Sequence, residues 1–231
     1  MSILSKKHLN YKLLAEIPLL LFVFLSLSSC LPAPYRPVQP PGTSYVTASW
    51  YGPEFHGKPT ASGEKFNMYA MTSAHKEFSF GVRLRVTNLR NNKSVVVTVN
   101  DRGPFIAGRD LDLSYAAARK IGLVKQGVGR VKIQYLGRDM SYVKDVIPVS
   151  TAYLTGPFTI QTGSFRERFN SERLKKALKL KYRNVYISIV YINGQKFYRV
   201  RVGSFDRRDS ASALAKILAG EGYSIFIAGK D

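Results

Sequence analysis

Four short runs in the first two-thirds of the chain set apolar residues at every second position or in an unbroken block. They are Tyr45-Val46-Thr47-Ala48-Ser49-Trp50, Arg83-Leu84-Arg85-Val86-Thr87, Val95 to Val99, and Val131-Lys132-Ile133-Gln134-Tyr135-Leu136. This pattern predicts strands, and the Gly, Asn and Pro residues between the runs predict turns, with Asn91-Asn92 marking a hairpin. One stretch departs from the two-residue period. Ser114 suits a helix N-cap, Ala116 to Ala118 favour helix and Gly122 suits a stop, so Ser114 to Ile121 is predicted helical. The economical architecture for 44–136 is a single small β-barrel.

The last third repeats itself. At an offset of 40, Gly163-Ser164-Phe165 aligns with Gly203-Ser204-Phe205, and Arg168, Leu174, Lys176 and Leu178 align with Arg208, Leu214, Lys216 and Leu218: 7 identities in 16 positions. Each unit reads strand, Gly-Ser turn, amphipathic helix, strand. The leading strands are Phe158 to Gln161 and Tyr198 to Arg201. The helices are expected near 171–180 and 210–219, capped at Asn170-Ser171 and Asp209-Ser210, with Val185-Tyr186-Ile187 and Ile225-Phe226-Ile227 as trailing strands. A duplicated βαβ unit over 154–231 predicts a ferredoxin-like α+β module, leaving 137–153 as a linker.

The N-terminus decides what the charge means. The formal charge is +20, with 35 Lys+Arg against 15 Asp+Glu, spread over both halves: 14 basic and 6 acidic groups in 44–136, and 15 and 6 in 154–231. Alone, that suits nucleic acid, an anionic membrane surface or an acidic polysaccharide. Residues 1–29, however, read as a leader. Lys6, Lys7 and Lys12 precede the apolar stretch Ile17 to Leu27, which is too short to span a bilayer comfortably. Leu27-Ser28-Ser29-Cys30 resembles a bacterial lipobox, whose cysteine is lipidated and becomes the new N-terminus. Cys30 is the single cysteine, so no disulfide forms within the chain. Residues 30–43 hold five prolines between Leu31 and Thr43, a semi-rigid spacer of roughly 40 Å. An exported, lipid-tethered chain argues against a nucleic-acid partner. Family sorting habits imply the outer membrane, facing the periplasm.

Two resemblances add to this reading. Gln161-Thr162-Gly163-Ser164-Phe165 and Tyr198-Arg199-Val200-Arg201-Val202-Gly203-Ser204-Phe205 resemble the SPOR domain of bacterial division proteins. That resemblance implies binding of peptide-stripped (denuded) peptidoglycan glycan through a sheet face carrying Gln161, Tyr198, Arg199 and Arg201. The bland reading of Arg199 and Arg201, as the solvated side of an alternating strand, stays open. Ala48-Ser49-Trp50-Tyr51-Gly52, Thr60 to Glu64, Thr72 to His75, Asn100 to Phe105 and Asp112-Leu113-Ser114 are similar, in that order, to the double-psi β-barrel of the RlpA (rare lipoprotein A) family of peptidoglycan lytic transglycosylases. Phe78-Ser79-Phe80-Gly81 departs from the family's Leu-Pro before this glycine, a change expected to matter to a loop rather than to the chemistry. The implied fold is a six-stranded double-psi barrel, mainly β, followed by an α+β SPOR domain.

The implied chemistry is cleavage of the MurNAc–GlcNAc bond with closure of a 1,6-anhydro ring, in septal wall remodelling and daughter-cell separation. Such a reaction needs a proton for the leaving oxygen, and the sugar's own six-hydroxyl replaces water as nucleophile. By resemblance Asp101 is the general acid/base, Glu64 positions substrate or helps deprotonate the hydroxyl, and His75 orients a carboxylate or contacts sugar. Trp50, Tyr51 and Arg102 are expected to meet substrate. Arg102 is expected to turn away from Asp101, toward Asp110 or Asp112. Read alone, Val99-Asn100-Asp101-Arg102-Gly103-Pro104-Phe105 is equally a turn, since Asn, Asp, Gly and Pro are turn residues. His56 and His75 do not form a metal-ligand spacing, and no cofactor is expected. The partners expected are denuded glycan, the membrane through Cys30, and division proteins. The alternative is a non-catalytic, expansin-like lipoprotein that grips peptidoglycan.

Overall fold

Valine-rich runs close on themselves. The computed structural model describes residues 42–147 and 157–229; the expected leader, Cys30, the tether up to residue 41 and the end of the linker lie outside them. Strands β1 (Thr43–Trp50), β2 (Thr72–His75), β3 (Val82–Asn88), β4 (Ser94–Asp101), β5 (Leu111–Leu113) and β6 (Val128–Arg138) form a closed barrel in the order β1-β5-β2-β4-β3-β6. The β1–β5 and β2–β4 pairs are parallel and the others antiparallel. Alternating residues Leu84, Val86, Val95, Val97, Val99, Val131 and Ile133 fill the interior with Leu111 and Leu113. Closure leaves no free edge, which suits an apolar interior this small. Helix α1 (Tyr115–Lys120) starts where expected: the Ser114 hydroxyl accepts from Ala117 N at 3.2 Å.

The second module follows the order strand, helix, strand, strand, helix, strand. It comprises β8 (Phe158–Phe165), α2 (Arg168–Lys179), β9 (Val185–Ile192), β10 (Gln195–Phe205), α3 (Arg208–Glu221) and β11 (Ile225–Gly229). Its sheet runs β7-β11-β8-β10-β9, with β7 (Val146–Ile147) added from the segment after the barrel. The expected helix starts fall two to three residues late. Asn170 and Ser171 are buried inside the first turn of α2, where the Ser171 hydroxyl donates to Arg168 O at 2.6 Å. Neither α2 nor α3 has a side-chain N-cap, because packing rather than capping sets where these helices begin.

Phe80 joins the two modules. It leaves the barrel between β2 and β3, is fully buried, and packs in the second core with Phe158, Ile160, Leu218 and Tyr223. Its N–H donates to Glu221 O at 3.0 Å, and Gly222 lies so close that an added Cβ would meet its Cβ at 3.0 Å. Lys181 Nζ donates to Glu77 O at 2.8 Å and to Glu221 Oε1 at 3.0 Å. Burial pushes the Glu221 carboxyl up to about 8 and the Lys181 ammonium down to about 8. The first part of the expected linker is also engaged: Asp139 N donates to Gly81 O and Lys144 N to Ala219 O.

Candidate active site at the seam of barrel and second module

Strand β4 presents its last residue through an irregularity. In the β2–β4 ladder Ser73 faces Val99 but Ala74 faces Asp101, so Asn100 is an extra residue. Strict alternation would carry Asp101 inward after Val95, Val97 and Val99. A bulge re-aims the side chain that follows it, a device common beside active sites. Asp101 is instead turned to the segment Thr60 to Glu64 and to helix α2. Its Oδ1 accepts from Ala61 N at 2.9 Å and from Arg102 N at 2.8 Å, and its Oδ2 accepts from Arg173 Nη2 at 3.0 Å. The side chain is 5% exposed. Beside it lies only a crevice of about 10 Å³, about the room of one water.

The open space is next door. A cleft of about 500 Å³ is bounded by Trp50, Tyr51, Phe55, Phe105, Arg109 and Asp112 of the barrel, and by Phe169 and Arg173 of α2. Arg173 borders both this cleft and the crevice of Asp101, so its guanidinium stands between them. Nη2 also donates to Arg102 O at 2.7 Å, and the guanidinium lies 5.7 Å from the Phe55 ring centre and 6.0 Å from that of Phe169. Phe55 and Phe169 stack at 6.3 Å. One turn further along α2, Lys176 Nζ donates to Phe105 O at 3.3 Å. Residues 169, 173 and 176 share a helix face by their spacing. Gly103, at φ 135°, adopts a backbone that side chains avoid and sits directly beneath Arg173.

A second carboxyl borders the cleft itself. Asp112 is half-buried, and its Oδ1 accepts from the Ser49 hydroxyl and meets Arg109 Nη2 at 3.5 Å. Burial raises its pKa from the ordinary carboxylate value, against the opposing pull of Ser49 and Arg109.

A family model described as a lytic transglycolase matches residues 43–133, and one described as a SPOR domain matches 154–228. The chain is 34% identical over 187 residues to the endolytic peptidoglycan transglycosylase RlpA of Helicobacter pylori, covering 73% of this chain and 59% of that protein. It is 35% identical over 182 residues to its namesake in Campylobacter jejuni, covering 73% and 66%. The chain belongs to the RlpA family. Over the barrel alone it is 56% identical across 88 residues to the Pseudomonas aeruginosa RlpA, covering 38% of this chain and 26% of that one. It therefore spans a quarter to two-thirds of the length of these relatives.

The RlpA-like residues singled out in the sequence are not all brought together. Glu64 is exposed, and its Oε2 accepts from Asn100 Nδ2 at 2.7 Å, beside but not bonded to Asp101. The His75 ring lies on Phe78 at 3.5 Å, and its Nδ1 accepts from Glu77 N and Phe78 N, both at 3.1 Å. Burial, with Arg102, Lys76 and Lys181, lowers its pKa to about 3. Among the described residues no hydrogen bond ties it to either carboxylate. Arg102 does turn away from Asp101, but not toward Asp110 or Asp112. It is 1% exposed and lies 3.8 Å over the Phe80 ring. Nε donates to the Tyr223 hydroxyl at 2.7 Å and Nη1 to Phe78 O at 2.9 Å. A side chain so enclosed braces the seam rather than meeting a sugar. Trp50 and Tyr51 are cleft wall: Trp50 meets Tyr115 edge-on at 5.6 Å, and Tyr51 packs on Phe66 at 4.2 Å.

In the SPOR module the expected four-residue face divides. Arg199 pairs with Ser188, Arg201 with Gln161 and Tyr186, and these share the face away from the helices. Tyr198, paired with Ile189 and Phe165, alternates to the other face, as adjacent strand residues must. Arg201 is 1% exposed and donates to Gly229 O at 3.0 Å. Phe55, Phe169 and Arg173 were missed, since their roles arise where two modules meet. Asp112 carried a signal in its motif.

Proposed function

We propose that this chain is a lytic transglycosylase of peptidoglycan glycan, with the barrel performing the cleavage and the SPOR module holding the polymer. The observation that carries this reading is the aromatic-walled cleft of about 500 Å³ at the end of β4, beside a re-aimed, buried Asp101. The rings of Trp50, Phe55, Phe105 and Phe169 suit the apolar faces of sugars, and Arg109 and Arg173 suit their carboxylates. Once Arg173 has left it, the Asp101 carboxylate takes up a proton from solvent, gives it to the leaving oxygen, and then takes one from the six-hydroxyl of muramic acid as that oxygen closes on the anomeric carbon. Glu64, held by Asn100 on the neighbouring segment, positions the strand. Because Asp101 is covered at rest, the reaction requires Arg173 to move.

A second reading has an observation of its own. Asp112 opens on the cleft and its pKa is raised by burial, which suits a proton donor. The two assignments separate by mutation: Asp101→Asn abolishes turnover in the first, Asp112→Asn in the second. Incubation with purified sacculi and mass spectrometry of the products tests the function. Anhydro-ended fragments support a transglycosylase; binding without them, across several pH values, supports a gripping, expansin-like protein instead. The wider setting belongs to the same proposal: export, lipidation at Cys30, an outer-membrane position facing the periplasm, denuded glycan as substrate, and work with division proteins at the septum.

A further inference from the structure

Arg173 is placed where one anion can be exchanged for another. Its two hydrogen bonds, to Asp101 Oδ2 and to Arg102 O, both use Nη2. The same side chain borders the cleft and is 23% exposed, so it is within reach of whatever enters there. Guanidinium groups bind carboxylates through two parallel bonds, and the Phe55 and Phe169 rings hold this one in place. The repeat supplies an internal comparison: the equivalent positions of α3 are Asp209 and Ala213, so the arginine and the ring occur only in the copy of the helix that faces the barrel.

The chemistry of the substrate completes the argument, which rests on the transglycosylase reading with Asp101 as the acid. In a peptide-free strand the lactyl group of each muramic acid ends in a free carboxylate. Where a stem peptide is attached, that carboxyl has become a neutral amide. We propose that Arg173 is the receptor for the lactyl carboxylate of unsubstituted muramic acid, and that this carboxylate draws the guanidinium off Asp101 as the strand seats. The acid is then uncovered only by substrate that carries the charge. One ion pair replaces another, with no bond made or broken in the exchange. An amidated strand cannot compete for the guanidinium and leaves Asp101 covered. Arg173 thereby makes the SPOR module part of the specificity of the cleavage site.

The test uses the full chain and one preparation of denuded glycan strands, half of it coupled to methylamine so that its lactyl carboxyls become amides. The wild-type protein is expected to cleave the free strands about tenfold faster than the amidated ones, the worth of one charge-assisted contact. Arg173→Gln is expected to bring the two rates within about twofold of each other by raising the amidated rate, and Arg173→Lys to keep part of the preference. An unchanged ratio in Arg173→Gln, including loss of both rates in proportion, overturns the proposal, as does equal cleavage of both strands by wild type. A binding measurement works without turnover. Asp101→Asn releases Arg173 from its resting partner, so it should bind free strands several-fold more tightly than wild type does, and amidated strands equally. Equal affinity of both proteins for free strands contradicts the exchange. Absence of turnover in the wild type would overturn the transglycosylase reading but leave this binding comparison intact.

Discussion

Helices α2 and α3 descend from one repeat yet meet different surroundings. Both bury an apolar face on the same sheet, through Leu174, Ala177 and Leu178 in one and Ala215, Leu218 and Ala219 in the other. Their outer faces differ. In α2 it carries Phe169, which stacks on Phe55 after β1, and Arg173 and Lys176, which meet the end of β4 and the residues just beyond it. In α3 the matching Asp209, Ala213 and Lys216 are exposed. The contribution of α3 comes instead from its C-terminal end, where Glu221 and the following Tyr223 take up Phe80, Lys181 and Arg102. One copy docks by its side at the end of β4; the other docks by its end on the brace beneath it. The same apolar pattern builds both helices, and a few outward residues decide what each one touches.

The largest expected effect follows from what α2 covers. Asp101→Asn should lower cleavage of denuded glycan by about a hundred- to ten-thousand-fold, as loss of a general acid does, in an assay that counts anhydro ends. Phe80→Ala removes the residue that seats the end of α3. It should cost about 3–5 kcal/mol in denaturant unfolding, the usual loss for a buried phenylalanine, and should lower Arg173-dependent discrimination as well.

Those two residues also mark how far the sequence was legible. Asp101 stood out in its motif and the repeat announced two helices, because short-range patterns record local structure. That Asp101 would be buried under Arg173 was not legible, since the residues lie 72 positions apart and meet only where the modules pack. The Asn100 bulge left no mark in the alternation of β4. Strands β2 and β5, four and three residues long, are too short to show a period. Phe80, read as a loop substitution, is the wedge between the modules; only a second core can reveal that role. Arg102 stands beside Asp101 in the sequence, yet the Phe80 ring, the Tyr223 hydroxyl and Phe78 O hold its guanidinium away from that carboxylate.

A smaller effect depends on pH. The half-buried His75 has a folded pKa of about 3 against about 6.5 when unfolded, so the unfolded chain binds the extra proton between those values. Stability from this group is present above pH 6.5 and is lost as the pH falls toward 3, by about 1.4 kcal/mol for each unit. His75→Gln should remove that part of the slope, seen as the difference between two unfolding series. The smallest effect contrasts the helices directly. Phe169→Ala should weaken glycan binding several-fold while Asp209→Ala leaves it unchanged, and Lys176→Ala and Lys216→Ala should each alter stability by less than about 0.5 kcal/mol.

The account stands on the contact between α2 and the end of β4, and a double-mutant cycle measures it directly. Asp101→Asn, Arg173→Gln and the pair, unfolded by denaturant in the full chain, should show a coupling of about 1–3 kcal/mol. Losses that simply add, to within about 0.5 kcal/mol, would mean that the arginine does not cover the acid in solution.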